Sequence, residues 1–183
     1  FLLHGTKTGR LAGKDPNLMN IPRESEIKMM FVAPEGYTFI AADYAQLEVR
    51  VAAFLSGDEK LIAACLAGDL HMAVCERVFA KQLRETRAAQ TIQDLERILN
   101  AYDVLRDVRL KHHREPWTDV EALRKVTIKA LRHNTKYVTF GILYGREARS
   151  LAEGELKCTP AEAQQYIDAF FKEFSKVHAW IKL

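Results

Sequence analysis

From residue 47 onward the apolar positions recur every three or four residues, the rhythm of helices with one buried face; the stretch before it lacks that rhythm. Residues 1–28 are dense in Gly, Pro, Asn and Lys/Arg and read as an ordered loop of the kind that can carry function. Two short apolar runs follow, KMMFVA from Lys28 to Ala33 and YTFIAA from Tyr37 to Ala42, separated by Pro34-Glu35-Gly36. They predict a β-hairpin whose second strand ends on Asp43. Helical spacing takes over in QLEVRVAAFL, with Leu47, Val51, Phe54 and Leu55 on one face.

Punctuation residues divide the remainder. Gly57 stops the first helix, Asp58 caps EKLIAACLA, Gly68 ends it, and Asp69 caps a third helix running through His71, Val74, Val78 and Phe79. Lys81 to Arg114 reads as a helix pair or one long helix on the surface, its apolar Ile92, Leu95, Ile98, Leu99, Tyr102 and Leu105 set among many charges. Pro116 interrupts it, and TDVE at Thr118 to Glu121 matches a capping box for a helix leading towards Arg132. A second box stands at Thr159, with Pro160 at the first helical position and Glu162 three after the cap. The last helix carries Ala163, Tyr166, Ile167, Phe170, Phe171 and Phe174 as a broad apolar face. There is no internal repeat and no low-complexity linker. The expected fold class is therefore α+β and mostly helical.

One stretch organises the chemistry. In RHNTKYVTFGILYG a helix places Arg132, Lys136, Phe140 and Tyr144 at i, i+4, i+8 and i+12, one slanted stripe about 18 Å long. Two cations, a flat ring and a phenol on such a stripe suit one elongated anion, a triphosphate at one end and a sugar and base at the other. Charge adds to this. The net +3 hides a division, because Lys81 to Arg149 holds fifteen Lys/Arg against nine Asp/Glu and the remainder twelve against fifteen. A basic segment suits a polyanion partner, and a solvated charged face is the competing reading. Cys65, Cys75 and Cys158 are odd in number and in no CxxC spacing, which argues against a disulfide framework and for a reducing compartment. No apolar run is long enough for a membrane span and no signal peptide is evident, so the expectation is an intracellular soluble protein. The chain lacks an initiator Met and opens in mid-pattern on FLLHG, as a piece of something longer would.

Single residues leave alternatives open. A carboxylate such as Asp43 at the end of a buried strand needs compensation, which a divalent metal supplies; a helix N-cap is the other explanation. Glu48 fits either a site or an exposed ion pair. His71 with Cys75, or His112-His113, has some zinc-ligand character, but no second pair stands at ligand spacing.

Joined in order, TGRLAGKDPNLMNIPR at 8–23, FVAPEGYTFIAADYAQLEVR at 31–50 and RHNTKYVTFGILYG at 132–145 resemble the family A DNA polymerases, the group of bacterial DNA polymerase I and many phage replicases. LSGDEKL at 55–61, DLHMAVCERVF at 69–79 and TPAEAQQYIDAFFKEF at 159–174 extend the resemblance to most of the chain outside roughly residues 80–126. The resemblance implies a partial palm at residues 1–57, with the hairpin as part of its sheet, and a fingers subdomain at 58–183. It implies template-directed nucleotidyl transfer from a dNTP to a primer 3′-hydroxyl, with Mg²⁺ as cofactor and primer-template DNA as partner. Asp43 resembles the first palm aspartate and the carbonyl of Tyr44 a further metal ligand. Arg132 and Lys136 resemble the cations holding the triphosphate, Lys136 with a catalytic role. Phe140 resembles the residue against the incoming sugar and base, Tyr144 the one stacking at the template position, and His71 the fingers histidine reaching the β-phosphate. Glu48 resembles the acid that lies under the deoxyribose, bonds Tyr144 and excludes a 2′-hydroxyl, which argues against the related RNA polymerases. Gln46 falls in the same motif and is grouped with the substrate residues. Arg10, Asn17, Asn20 and Arg50 resemble contacts to the primer-template.

Two departures qualify the resemblance. The family's second metal-binding aspartate lies in a His-Asp turn that these 183 residues do not contain, so the chain alone is expected to be an inactive catalytic-core fragment. The interval from His71 to Arg132 is about forty residues longer than in the bacterial enzyme when the motifs are aligned. It is expected to form an added helical element at about 80–126 facing template, a replisome partner or solvent, and points towards a phage or other mobile replicon. The competing function is a basic nucleic-acid-binding module that keeps the fold without the chemistry. The expected setting is the cytoplasm of a bacterial or phage-infected cell, away from any membrane.

Overall fold

The computed structural model describes residues 2, 3, 5, 6, 10–22 and 25–182. Residues 1, 4, 7–9, 23 and 24 of the expected N-terminal loop lie outside that set. The chain divides into two compact units, residues 1–44 and 45–183.

In the first unit the expected hairpin is absent. Among the described residues no strand occurs, only an isolated antiparallel bridge between Leu2 and Ala12, and the fold is all helical rather than α+β. Instead α1 (Glu26–Met29) takes up the start of the first apolar run. The residues after it run without a ladder through a turn in which the Tyr37 N–H donates to the Pro34 carbonyl at 3.0 Å and Gly36 sits at φ +79°. The turn forms as Pro-Glu-Gly predicts, but the runs it joins do not pair. Two strands hold together only when a third strand or a helix covers one face, and here Val32, Tyr37, Phe39 and Ile40 are all exposed. The loop before α1 is closed locally. Asn17 Oδ1 accepts from the Met19 N–H at 3.2 Å and caps the 3₁₀ turn Leu18–Asn20. A Cβ on Gly13 would stand 2.7 Å from that same oxygen, so a larger residue there would push the Asn17 side chain off its cap.

The second unit is a helical bundle built around α8 (Val120–Leu143), against which α2 (Leu47–Ser56), α4 (Leu70–Val78), α5 (Ala80–Ala88), α6 (Ile92–Ala101), α7 (Arg106–Arg114) and α10 (Pro160–Glu173) pack. α3 (Glu59–Leu66), α9 (Ala148–Leu151) and α11 (Ser175–Ile181) complete it. The expected caps at Asp58, Asp69 and Thr159 form, accepting from the N–H groups of Leu61, Met72 and Glu162 at 3.1 Å each. Asp58 also accepts from the Lys176 N–H of α11 at 3.1 Å, so one buried carboxylate closes two helix starts. α8 starts one residue later than TDVE suggests, because Asp119 rather than Thr118 caps it, accepting from the Glu121 N–H at 2.9 Å. Its end is set by Gly145 at φ +69°.

Two expectations about burial reverse. α2 buries Val49, Ala52 and Ala53, while Leu47, Val51, Phe54 and Leu55 face outward. Small side chains let α3 and α11 approach α2 closely, and that close contact selects the buried face. The 81–114 segment is three helices and a 3₁₀ turn (Asp103–Leu105) rather than a surface pair, and Leu83, Leu95, Leu99 and Leu105 join the one hydrophobic core. A capping box at Thr91 and Asp94, unread in the sequence, starts α6.

Candidate nucleotide and polyphosphate site

α8 carries the predicted stripe on a half-exposed edge. Leu131, Thr135, Val138 and Ile142 turn inward, so Arg132, Lys136 and Phe140 are left at the boundary of the core. Of the inward threonines, Thr127 and Thr135 donate to the carbonyls of Leu123 and Leu131 one turn back, at 2.8 and 3.0 Å, while the Thr139 hydroxyl has no hydrogen-bond partner among the described residues. Tyr144 is the C-cap residue, exposed, with its N–H on the Phe140 carbonyl at 2.9 Å. Behind the stripe, Gly141 lies so close to Leu151 that a Cβ would meet Leu151 Cδ2 at 2.4 Å, which locks α9 onto α8.

Arg132 makes a forked pair with Asp69, Nε and Nη2 donating to the two carboxylate oxygens at 2.8 and 3.0 Å. That bond is the main reason the Asp69 carboxyl lies below its ordinary range and the guanidinium above its own. Asp69 was legible as a cap; its second duty as the Arg132 partner was not, since nothing in the sequence brings residues 69 and 132 together. One turn into α4, His71 is buried, its ring centroid 6.4 Å from that of Phe140, and its Nδ1 has no hydrogen-bond partner among the described residues. Burial first, then the nearby Lys136 and Arg132 charges, lower its pKa to about 4, so it is neutral at pH 7. The packing of α4 against α8 thus gathers His71, Arg132, Lys136 and Phe140 into one patch.

A hollow of about 290 Å³ lies at the far end of the stripe, lined by Leu47, Glu48, Val51, Ala52, Leu143, Tyr144 and Trp180. It brings Glu48 and Tyr144 together, with Trp180 as a lining residue that the sequence reading missed. Gln46 precedes α2 in the left-handed region at φ +53°, and Arg50 Nε donates to the Ala45 carbonyl at 2.9 Å, bracing that turn.

The other candidates belong to the first unit. Asp43 and Tyr44 are exposed in its extended segment, so the carboxylate does not end a buried strand and carries no burial cost there. Arg10 is exposed, its carbonyl accepting from Thr6 Oγ1 at 2.8 Å. Asn17 serves the loop cap, and Asn20 closes the 3₁₀ turn with its N–H on the Asn17 carbonyl at 3.3 Å. Among the described residues no three His, Cys, Asp or Glu side chains group as a metal cage. The Asp43 carboxylate and Tyr44 carbonyl are hard oxygen donors of the kind Mg²⁺ accepts while keeping several waters. No helix among the described residues is long and apolar enough to cross a membrane.

The second unit is thus a helical bundle that sets a forked arginine, a lysine one turn on and aromatic rings beyond along one edge of α8. The family profile of DNA polymerase family A matches residues 1–97 and 89–183. The thermostable DNA polymerase I of Thermus aquaticus is 32% identical over 182 residues, covering 97% of this chain and 17% of that protein. The DNA polymerase I of Chloroflexus aurantiacus is 35% identical over 182 residues, 97% of this chain and 15% of its own length. That of Pseudomonas aeruginosa is 32% identical over 180 residues, 96% and 15%. The chain belongs to DNA polymerase family A and spans about a sixth of the length of these relatives.

Proposed function

We propose that these residues are the nucleotide-presenting part of a template-directed DNA polymerase, fingers and part of the palm, acting on a dNTP and primer-template DNA. The observation that carries the reading is the patch on α8 and α4, where half-exposed Arg132, Lys136 and Phe140 lie beside the buried His71. Arg132 and Lys136 hold the phosphates as charge-assisted donors. Neutral His71 offers one further hydrogen bond without adding charge, and Phe140 covers sugar and base. Glu48 and Tyr144 line the hollow at the sugar end, where a 2′-hydroxyl would meet the Glu48 carboxylate. Asp43 and the Tyr44 carbonyl would hold Mg²⁺, which when bound lowers the pKa of the primer 3′-hydroxyl and neutralises the leaving pyrophosphate. The family profile matches in two pieces that meet at residues 89–97, which supports reading about 80–126 as an addition to the fingers. Action on DNA in the cytoplasm of a bacterial or phage-infected cell follows from the same reading.

The 183 residues contain no His-Asp turn, so a polypeptide of these residues alone is expected to bind dNTP and fail to extend a primer. Template-dependent incorporation by it would overturn the assignment of the second carboxylate to another segment. In a polymerase that includes such a turn, Glu48→Ala is expected to raise ribonucleotide incorporation, and an unchanged preference for dNTP would remove Glu48 from the sugar site. The excess of cations between Lys81 and Arg149 favours one alternative, a basic nucleic-acid-binding module without chemistry. DNA binding without extension by a protein that carries the His-Asp turn would establish it.

A further inference from the structure

We infer that the added helical segment builds a polyphosphate-binding hollow beside the Arg132 and Lys136 stripe, its ligand being inorganic pyrophosphate or the terminal phosphates of a bound nucleotide. This inference rests in part on the reading of α8 as the nucleotide helix. A hollow of about 430 Å³, within the usual range for small-ligand sites, lies between three elements of the second unit: α8, the 3₁₀ turn with the start of α7, and the π-helical turn Ala152–Leu156. Its floor is apolar, from Val104, Val108, Val126, Ala130 and Leu156. Its walls carry Arg106, Lys129, Arg132, Lys136 and Lys157 against the carboxylates of Asp107 and Glu155.

The carboxylates are already engaged. Asp107 pairs with Lys157 at 3.3 Å, and Glu155 pairs with Arg146. Arg132 is held by Asp69. Arg106, Lys129 and Lys136 form no ion pair among the described residues, three cations around one concavity with their charge uncompensated. Lysines and arginines that face one another repel, and a small polyanion removes that repulsion while taking several charge-assisted hydrogen bonds at once.

The added segment contributes Arg106 together with the apolar Val104 and Val108. Arg106 enters the hollow because the 3₁₀ turn is tied to α8, Asn134 Nδ2 donating to the Val104 carbonyl at 2.9 Å. Lys157 is turned towards it by a left-handed backbone at φ +50°, a conformation that a lysine adopts only where the surroundings hold it. Lys129 lies seven residues before Lys136 on α8, two turns away on the same side.

The test is calorimetric titration of the folded chain with sodium pyrophosphate, using wild type, the pair Arg106→Gln with Lys129→Gln, Lys136→Ala, and an exposed control pair, Arg149→Gln with Lys172→Gln. Circular dichroism confirms helix content in each. The Arg106 and Lys129 pair is expected to weaken pyrophosphate binding roughly tenfold or more, with the control pair unchanged. Equal weakening in the control pair, or no weakening in the Arg106 and Lys129 pair, overturns the hollow. In the second case weakening at Lys136→Ala alone leaves the nucleotide reading standing. Dependence on Arg106 and Lys129 with none on Lys136 supports the hollow and removes the nucleotide reading of α8. Tight binding of a single-stranded oligonucleotide with no binding of pyrophosphate overturns the inference in favour of a strand-binding surface.

Discussion

Residues 31–42 are rich in aromatic and β-branched side chains, and most of them face solvent; Ile40 is 90% exposed. Residues 80–114 carry a charge at almost every turn, yet Leu83, Leu95, Leu99 and Leu105 are at most 1% exposed. The difference lies in what each apolar side chain meets. In the charged segment three helices present narrow stripes to a long helix that is already there, and each leucine gains a neighbour on every side. In the apolar segment the chain is extended, and an extended chain buries its side chains only against a ladder and a covering layer. Local hydrophobicity states what a residue would gain by burial; the partner decides whether it is buried.

That contrast can be broken by experiment. Leu99→Ala is expected to cost about 3 kcal/mol or more in denaturant unfolding, through lost burial plus a cavity. A cost below 1 kcal/mol would mean that the added helices are not part of the cooperative core. Burial also governs His71, whose pKa falls from the ordinary 6.5 to about 4 in the fold. The unfolded chain then binds the extra proton between those values, so stability is full above pH 6.5 and falls by roughly 3 kcal/mol as the pH drops towards 4. His71→Leu should flatten that part of the pH profile, and an unchanged slope would place the acid sensitivity elsewhere. Asp58→Ala removes a buried cap that serves α3 and α11 and is expected to cost about 2 kcal/mol. At the small end, Ile40→Ala should change stability by less than about 0.5 kcal/mol. A loss as large as that of Leu99→Ala would show that residues 31–42 are covered in solution.

The pattern made the helices and their starts readable because caps act over three or four residues; Asp58, Asp69 and Thr159 each hold the N–H groups that their position promised. The stripe on α8 was readable for the same reason, as a consequence of helical spacing. The hairpin was not, because KMMFVA and YTFIAA satisfy the strand pattern while pairing depends on contacts that spacing does not encode. The outward face of α2 follows the same logic: Leu47 and Phe54 look like core, and the alanines between them let neighbours come closer. Of the candidate site, the patch of His71, Arg132, Lys136 and Phe140 and the meeting of Glu48 with Tyr144 come from motifs far apart in sequence. Their grouping came from the resemblance and not from periodicity. Asp69 as the partner of Arg132, Trp180 beside Tyr144 and Arg106 beside α8 all depend on tertiary packing, and no local signal marks them.

In the proposed nucleotide site the fork between Arg132 and Asp69 sets the terms on which an anion enters. Any anion that takes Arg132 must displace a carboxylate that already offers two well-placed oxygens, so the gain is a difference between two partners rather than the whole of one. A ligand with a single weak oxygen loses that exchange, while one bringing several charged oxygens in a row wins it. Asp69 keeps its cap on the Met72 N–H through either outcome, so α4 stays anchored while the arginine changes hands. In the proposed nucleotide site the pair acts as a threshold that an anion with several charged oxygens crosses more readily than one with a single charge.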